Sequence, residues 1–387
     1  MAPSVTITSK AAARVRAGYP WVYPQDLSKA NATEDLVQVL DPKGKSLGTA
    51  MYAAGARLPI RMIGSESLTL DGNFFRERIT SANARRKAIL PSADAYRVVH
   101  GEADRLPGLI VDRYGDVAVM QTMARGMDAR EPAIAKALVD VLGVRLVVAR
   151  DDGAARDFEG LERRKGIVLG QGDTRVEYHD SDNLFSLDVL TDGKTGGFLD
   201  QVENHARAKD YAFGEALDTF SYHGGFALAL GRGGATSVLG IDESPEAVAR
   251  AKENATRNKL DQVTFQQGNA FDVMRTLEGE GRRFDVVVVD PPAFAKRKSA
   301  LAGAERAYKE LNLRGLRLLR KDGILVSCSC SGKLTIEHFS AILADAVADV
   351  GRPVQILERR GAGRDHPPLM GVPETEYLKC WILRVIG

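Results

Sequence analysis

The stretch FDVVVVDPP, Phe284 to Pro292, decides how the second half of this 387-residue chain is read. Four consecutive valines show no alternation of wet and dry faces, so the segment reads as a strand covered on both sides, as in a parallel sheet flanked by helices. Asp290-Pro291-Pro292 follows at once; the prolines hold the backbone extended and aim polar groups off the strand end.

Outward from this strand the pattern repeats. EALDTFSY, ATSVLGID and QVTFQQGN before it, and GILVSCS after it, read as strands, each followed by a helical pattern such as SPEAVARAKENATRNKL or GAERAYKELNLRGLRLLR. Five such units predict an α/β fold, a mostly parallel sheet with helices on both faces. At the end of the chain VQILERRG and YLKCWILRVIG are separated by a Pro-rich loop without a helix, and are expected to pair as an antiparallel hairpin at the sheet edge. Upstream, residues 1–72 read as a small all-β unit of short alternating segments broken by Gly and Pro. Residues 73–185 open on a helical pattern, NFFRERITSANARRKAIL, and continue strand, strand, helix, strand, strand, a central α+β module; YRVVHGEADRLPGLIVDRYGDVAVMQTM supplies its first two strands. The third domain is 186–387.

Composition excludes several classes. Lys plus Arg against Asp plus Glu is 53 to 51, so bulk charge does not mark a nucleic-acid binder. Local basic clusters, Arg85-Arg86-Lys87, Arg163-Arg164-Lys165 and Lys296-Arg297-Lys298, remain available to phosphates. The sequence has no apolar run of about 18 residues and no secretory signal, so a cytoplasmic protein without a membrane span is expected. In a reducing compartment the three cysteines are no disulfide framework, and none lies at zinc-site spacing, so no metal is expected.

In open α/β sheets the ligand sits beyond the carboxyl ends of the strands, where the strand order reverses. After the first strand comes Asp218-Thr219-Phe220-Ser221-Tyr222-His223-Gly224-Gly225-Phe226, whose paired glycines let a ligand approach the backbone. The second strand ends at Asp242, suited to accept the hydroxyls of a ribose, because Ser244-Pro245-Glu246 already caps the next helix. The third ends at Asn269-Ala270, where Asn269 is placed to bond an adenine amine. These features fit any adenosine cofactor, but no G-x-G-x-x-G opens the first helix, which argues against NAD.

With these residues in view, the α/β domain resembles class I S-adenosylmethionine-dependent methyltransferases. The whole chain resembles the bacterial ribosomal RNA large-subunit methyltransferases that form 5-methylcytosine, with an N-terminal PUA domain, a central α+β domain and a C-terminal catalytic domain. The resemblance is carried by His100-Gly-Glu-Ala-Asp-Arg-Leu-Pro-Gly-Leu-Ile-Val-Asp-Arg-Tyr114, Gly193-Lys-Thr-Gly-Gly-Phe-Leu-Asp-Gln201, Phe220 to Phe226, Asp290-Pro-Pro and Ser329-Cys-Ser-Gly332. It departs at His223, where Thr is expected, and at Val-Glu-Asn-His after Gln201, which places His205 at an arginine's position. The resemblance implies S-adenosylmethionine as cofactor, held by Gln201, Phe220, Ser221, Tyr222, Gly224, Gly225, Asp242, Asn269, Ala270 and Asp290. It implies large-subunit ribosomal RNA as partner, and a homodimer.

Carbon 5 of cytosine is a poor nucleophile until a thiolate adds to carbon 6. GILVSCSCSGKL offers Cys328 and Cys330 at the fifth strand's end. Strand periodicity puts both on one face, but Cys330 lies nearer the ligand end, so Cys330 is the expected nucleophile, Asp290 the group that assists at the ring nitrogen, and Lys296 or Lys333 the cation that favours the thiolate. Two alternatives are weighed. Transfer to an exocyclic amine calls for an aromatic after Asp-Pro-Pro, where this chain has Ala293. A non-catalytic RNA-binding or assembly protein would not need the intact glycine loop, Asp242, Asp290 and Cys330.

Overall fold

The computed structural model describes residues 3–32, 34–193, 195–294 and 300–386. The chain divides into two compact units. The first comprises Met1–Val176, Leu187–Gly197 and Asp365–Val372; the second comprises Glu177–Ser186, Phe198–Arg364 and Pro373–Gly387.

The first unit opens with a six-stranded sheet whose strands run, in spatial order, Trp21–Val22, Ile60–Gly64, Ser46–Ala53, Glu34–Leu40, Ser4–Ile7 and Leu27–Asn31. One helix interrupts the expected all-β pattern: Ser9–Arg16, SKAAARVR, where the Thr8 hydroxyl accepts from Ala11 N and Ala11 and Ala12 are buried. Three good helix-forming alanines outweigh the strand character on either side. The helix Gly72–Ile89, capped by Asp71, follows as the periodicity predicts. A five-stranded sheet comes next, in the order Arg164–Gly170, Leu146–Asp151, Val117–Thr122, Leu109–Tyr114, Ala95–His100. Where the sequence reads as two strands between residues 96 and 123 there are three. The extra one arises because Gly115, at φ 55°, lets the chain reverse between Tyr114 and Val117 within two residues.

In the second unit the sheet order is Val263–Gln267, Ser237–Asp242, Glu215–Asp218, Phe284–Val289, Leu319–Ser329, Lys379–Val385, Val354–Arg360. The first five are mutually parallel. The final strand runs antiparallel to both neighbours, so the expected terminal hairpin forms with Val354–Arg360 outermost. Val286, Val287, Val288 and Val289 are all fully buried, as a strand covered on both faces requires. The order reverses between Glu215–Asp218 and Phe284–Val289, which places a ligand crevice at the carboxyl ends of these strands. The strands Arg175–Asp180 and Asn183–Asp188 form a separate two-stranded sheet, and residues 177–186 of it count with this unit, since Asn254 and Asn258 accept from the backbone N–H groups of Ser186 and Leu184 at 3.0 and 2.9 Å.

Two later stretches of chain complete the first unit through buried charge. Arg97 donates bidentately to Asp112, at 2.8 Å from both Nε and Nη2. Thr195 Oγ1 donates to Asp112 at 2.7 Å, and the Asp365 carboxylate accepts from Arg97 N at 2.8 Å. Arg86, itself buried, grips Asp104 with two nitrogens and reaches the Asp365 carbonyl at 3.0 Å. Burial alone would raise the Asp112 pKa, but the Arg97 guanidinium outweighs it and holds the carboxyl below its ordinary value. A depressed carboxylate pKa contributes stability that is present above about pH 4 and lost as pH falls through the folded value. Asp112→Ala leaves Arg97 without its carboxylate and should cost about 3–5 kcal/mol in urea unfolding at pH 7. The cost should shrink on acidification, and a pH-independent cost would contradict this account.

Candidate active site

The fourth and fifth strands of the second sheet pair in parallel with Val288 opposite Val326 and Val289 opposite Ser327, so they end level. Asp290-Pro291-Pro292 and Cys330 therefore share one rim. Cys330 lies just past the strand, half-buried, with its Sγ donating toward the Pro291 carbonyl at 3.9 Å. The run Ser-Cys-Ser-Cys-Ser, residues 327–331, alternates. Ser327, Ser329 and Ser331 are fully buried, and on the helix Leu301–Leu318 Asn312 Oδ1 accepts from Ser327 Oγ at 2.5 Å, while the Tyr308 and Ser331 hydroxyls bond at 3.1 Å. Cys328 is fully buried and lies opposite Cys380 in the sheet. Burial, then Cys380 and the Asp290 charge, raise its pKa well above the ordinary thiol value, so Cys328 stays a thiol.

Asp290 is oriented by an amide chain: Gln201 Nε2 donates to its Oδ2 at 2.9 Å, and Asn204 Nδ2 donates to Gln201 Oε1 at 2.6 Å. The glycine loop is fixed from below. Gly224 sits at φ 95°, and a Cβ there would fall 2.5 Å from Leu228 Cδ1; one on Gly225 would fall 2.3 Å from His205 Cε1. Tyr222 also has a positive φ, 47°, and its N–H donates to Asp242 Oδ2 at 2.9 Å. Asp242 Oδ1 accepts from Ser244 N at 2.9 Å, so the acid expected to hold a ribose is steered by two backbone amides. Ser244 caps the helix Pro245–Arg257, as read from sequence, by accepting from Ala247 N. Asn269 does the same for the helix Ala270–Gly279: its side-chain oxygen accepts from Phe271 N at 3.0 Å. Ala270 opens that helix buried, and Phe220 packs half-buried on the sheet's apolar core.

The two departures from the family pattern have clear surroundings. His223 lies flat on the Tyr222 ring, centroids 3.7 Å apart, and burial, with the Arg250 charge, pushes its pKa down to about 3, so it is neutral. His205 is buried with Nδ1 2.7 Å from Asp180 Oδ2. Burial opposes its charge, but Asp180, Asp290 and Asp218 outweigh that and raise its pKa.

Asp218, at the end of the first strand, is a site residue that its sequence context alone does not single out. It is fully buried, accepts from Ala227 N at 3.0 Å through Oδ2, and its Oδ1, like Ser221 Oγ, has no hydrogen-bond partner. Burial, then the Asp290 charge, raise its pKa to about 7. A buried carboxylate with an orphaned oxygen, ringed by further acids and facing a glycine loop, fits a cationic adenosine ligand such as S-adenosylmethionine, whose sulfonium and ammonium would supply the missing positive charge. Nor does sequence context single out Lys379, which is buried. Lys333 is exposed, and Lys296 with its basic cluster lies outside the described residues. Among the described residues there is no group of three or more His, Cys, Asp or Glu arranged to hold a metal, and no helix long and apolar enough to cross a membrane.

Comparison with known proteins is consistent with this geometry. Residues 214–357 match a methyltransferase domain model and residues 5–64 a PUA-like domain model. The ribosomal RNA large subunit methyltransferase I of Tolumonas auensis is 36% identical over 379 residues, covering 95% of this chain and 96% of that protein. The protein of the same name from Shigella dysenteriae is 35% identical over 380 residues, covering 95% of each chain. Among solved structures, a candidate SAM-dependent methyltransferase from Streptococcus mutans superposes with a TM-score of 0.86 at 19% identity, covering 99% of this chain and all of that one. SMU.776, a candidate methyltransferase solved with SAH, gives the same values.

The raised Asp218 pKa has a definite sign. Between about pH 4 and 7 the unfolded chain releases this proton while the folded chain keeps it, so folding loses on the order of a few kcal/mol across that window. Asp218→Asn, which can still accept from Ala227 N, should raise Tm at pH 8, do less at pH 5, and weaken S-adenosylmethionine binding about tenfold or more in calorimetry. A variant with wild-type stability at pH 8 would show that Asp218 carries no strain.

Proposed function

We propose that this chain, which belongs to the ribosomal RNA large subunit methyltransferase I family, forms 5-methylcytosine in large-subunit ribosomal RNA through a covalent adduct of Cys330. It is an S-adenosylmethionine-dependent RNA methyltransferase with a Rossmann-like catalytic fold and an N-terminal PUA-like domain. The observation that carries the finer reading is the Cys330 thiol at the end of one strand, 3.9 Å from the Pro291 carbonyl beside Asp290 on the next.

S-adenosylmethionine, when bound, supplies an electrophilic methyl group on its sulfonium. Asp242 would hold the ribose hydroxyls, the glycine loop would admit the ligand to the backbone, and Asp218 and Asp290 would favour its positive charge. The Cys330 sulfur would bond to cytosine C6, leaving at C5 an electron pair able to accept the methyl group, whose bond to the sulfonium would break with its pair kept on sulfur as a neutral thioether. Asp290, oriented by Gln201, assists at the ring nitrogen as charge develops there. Loss of the C5 proton to solvent would return the pair to the ring and break the S–C6 bond, restoring the thiolate.

Methylation of an exocyclic amine is disfavoured for a physical reason. Phe294, the first aromatic after Asp-Pro-Pro, packs with its centroid 5.1 Å from that of Tyr308 and 6.3 Å from that of Phe271 rather than standing ready to stack on a base. The three-domain reading, 1–72 for RNA docking, 73–185 as a central module and 186–387 for transfer, belongs to the same proposal, as do the homodimer and a cytoplasmic location.

RNA carrying 5-fluorocytosine traps the adduct, because fluorine replaces the proton that must leave. Wild-type protein should form a denaturant-resistant complex, Cys330→Ala none, and Cys328→Ala a normal one. Methylation surviving in Cys330→Ala, or an adduct mapped to Cys328, would sink the mechanism. Asp242→Ala should weaken S-adenosylmethionine binding by about 1–3 kcal/mol in calorimetry. An unchanged dissociation constant would mean that the ribose lies elsewhere.

A further inference from the structure

Lys379 is the first residue of the strand Lys379–Val385 and sits opposite Ser329, one residue before Cys330. Its side chain is only 2% exposed. Nζ donates to three backbone carbonyls: Ser331 at 2.9 Å, Leu334 at 2.7 Å and Tyr377 at 2.8 Å. Two of these belong to the turn that follows Cys330. Three carbonyl acceptors need three N–H groups, and only the ammonium has them; a neutral amine would turn its lone pair toward one oxygen. The contacts therefore select the charged form.

Among the described residues no carboxylate pairs with Lys379, although a buried cation is normally stabilised by an anion. Burial lowers its pKa to about 8, and the groups that counter this are Cys330, first, and Glu376, which is itself exposed. Among the described residues, the other titratable groups around the thiol include Asp290 at the end of the fourth strand, whose charge opposes a thiolate, and Tyr308 on the helix Leu301–Leu318, whose pKa burial raises to about 12 so that it stays neutral. Cys328 and Cys380 are buried thiols. Lys379 is thus the buried cation whose missing counter-charge a Cys330 thiolate would supply.

We propose that Lys379 is the positioning residue for the nucleophile: its ammonium pins the 331–334 turn and stabilises the Cys330 thiolate. The proposal rests on the Cys330 reading above and names a lysine other than Lys296 and Lys333. The Cys330 proton leaves to solvent, Lys379 keeps its own, and the pair persists from the thiol pKa up to about pH 8, above which the lysine charge and the assistance are lost together.

The test is the pH dependence of Cys330 alkylation by iodoacetamide, read on the Cys330 peptide by mass spectrometry. Wild-type protein should titrate below ~8.5, the value of an unperturbed cysteine. Lys379→Met should raise the apparent pKa by about one unit and slow alkylation at pH 7 roughly tenfold. Lys379→Arg should restore most of the rate, and Lys333→Met should change nothing. S-adenosylmethionine binding in Lys379→Met should match wild type, and kcat should fall with KM little altered. A wild-type thiol titrating at or above ~8.5 overturns the proposal even if Lys379→Met does not fold, and so does a Lys379→Met profile that superimposes on wild type. Failure of the parent reading is seen separately, as methylation by Cys330→Ala, which leaves the thiol titration of the wild type untouched.

Discussion

The register of two parallel strands underlies everything in the second unit. With Val289 opposite Ser327, the chain leaves both strands at one level, and the Asp290-Pro291 backbone faces the segment carrying Cys330. A slip of one residue would turn every side chain over, exchanging the buried serines at 327, 329 and 331 for the cysteines at 328 and 330. What prevents the slip is polar satisfaction. Asn312 and Tyr308 are spaced one helical turn apart on the helix Leu301–Leu318 and meet Ser327 and Ser331, leaving Cys328 to face Cys380.

The same unit gathers acids where there is little water. Asp218, Asp242 and Asp290 end three strands at the switch in strand order, and burial, then the Asp290 charge, raises the Asp218 pKa to about 7. Such an arrangement stores repulsion that a cationic ligand relieves, so the pocket is less stable than it would be with neutral residues and correspondingly selective for positive charge. His205 acts within the same field from beneath the loop. Paired with Asp180, whose charge raises its pKa against burial, and packed against Gly225, its ring makes glycine obligatory at 225.

Much of this was legible in the chain because it rests on local rules. Four valines name a covered strand, Ser244-Pro245 names a helix start, and Asp290-Pro291-Pro292 names a strand end. What stayed hidden depends on groups distant in sequence. Lys379 opens YLKCWILRV and looks like the ordinary charge at the end of a strand; its meaning comes from the carbonyls of Ser331 and Leu334. Asn269 was read for a ligand and also serves as a cap, since the residue types that bond ligands at strand ends are those that start helices. The short helix Ser9–Arg16 and the hairpin at Gly115 were missed because each occupies too few residues to establish a period.

The threading of the chain bears on how the protein is made. Arg97 and the Asp365 carboxylate that accepts from its amide are 268 residues apart. At a ribosomal rate of about 5–20 residues per second, that amide waits on the order of ten seconds to a minute for its partner to be synthesised. The amino-terminal unit cannot close when its own first 176 residues emerge, because Leu187–Gly197 and Asp365–Val372 still have to be added. A nascent chain of this design exposes an incomplete core throughout that interval. Its yield in a cell therefore depends on what shields it during translation, and a premature stop near the carboxyl terminus would damage the amino-terminal half as well.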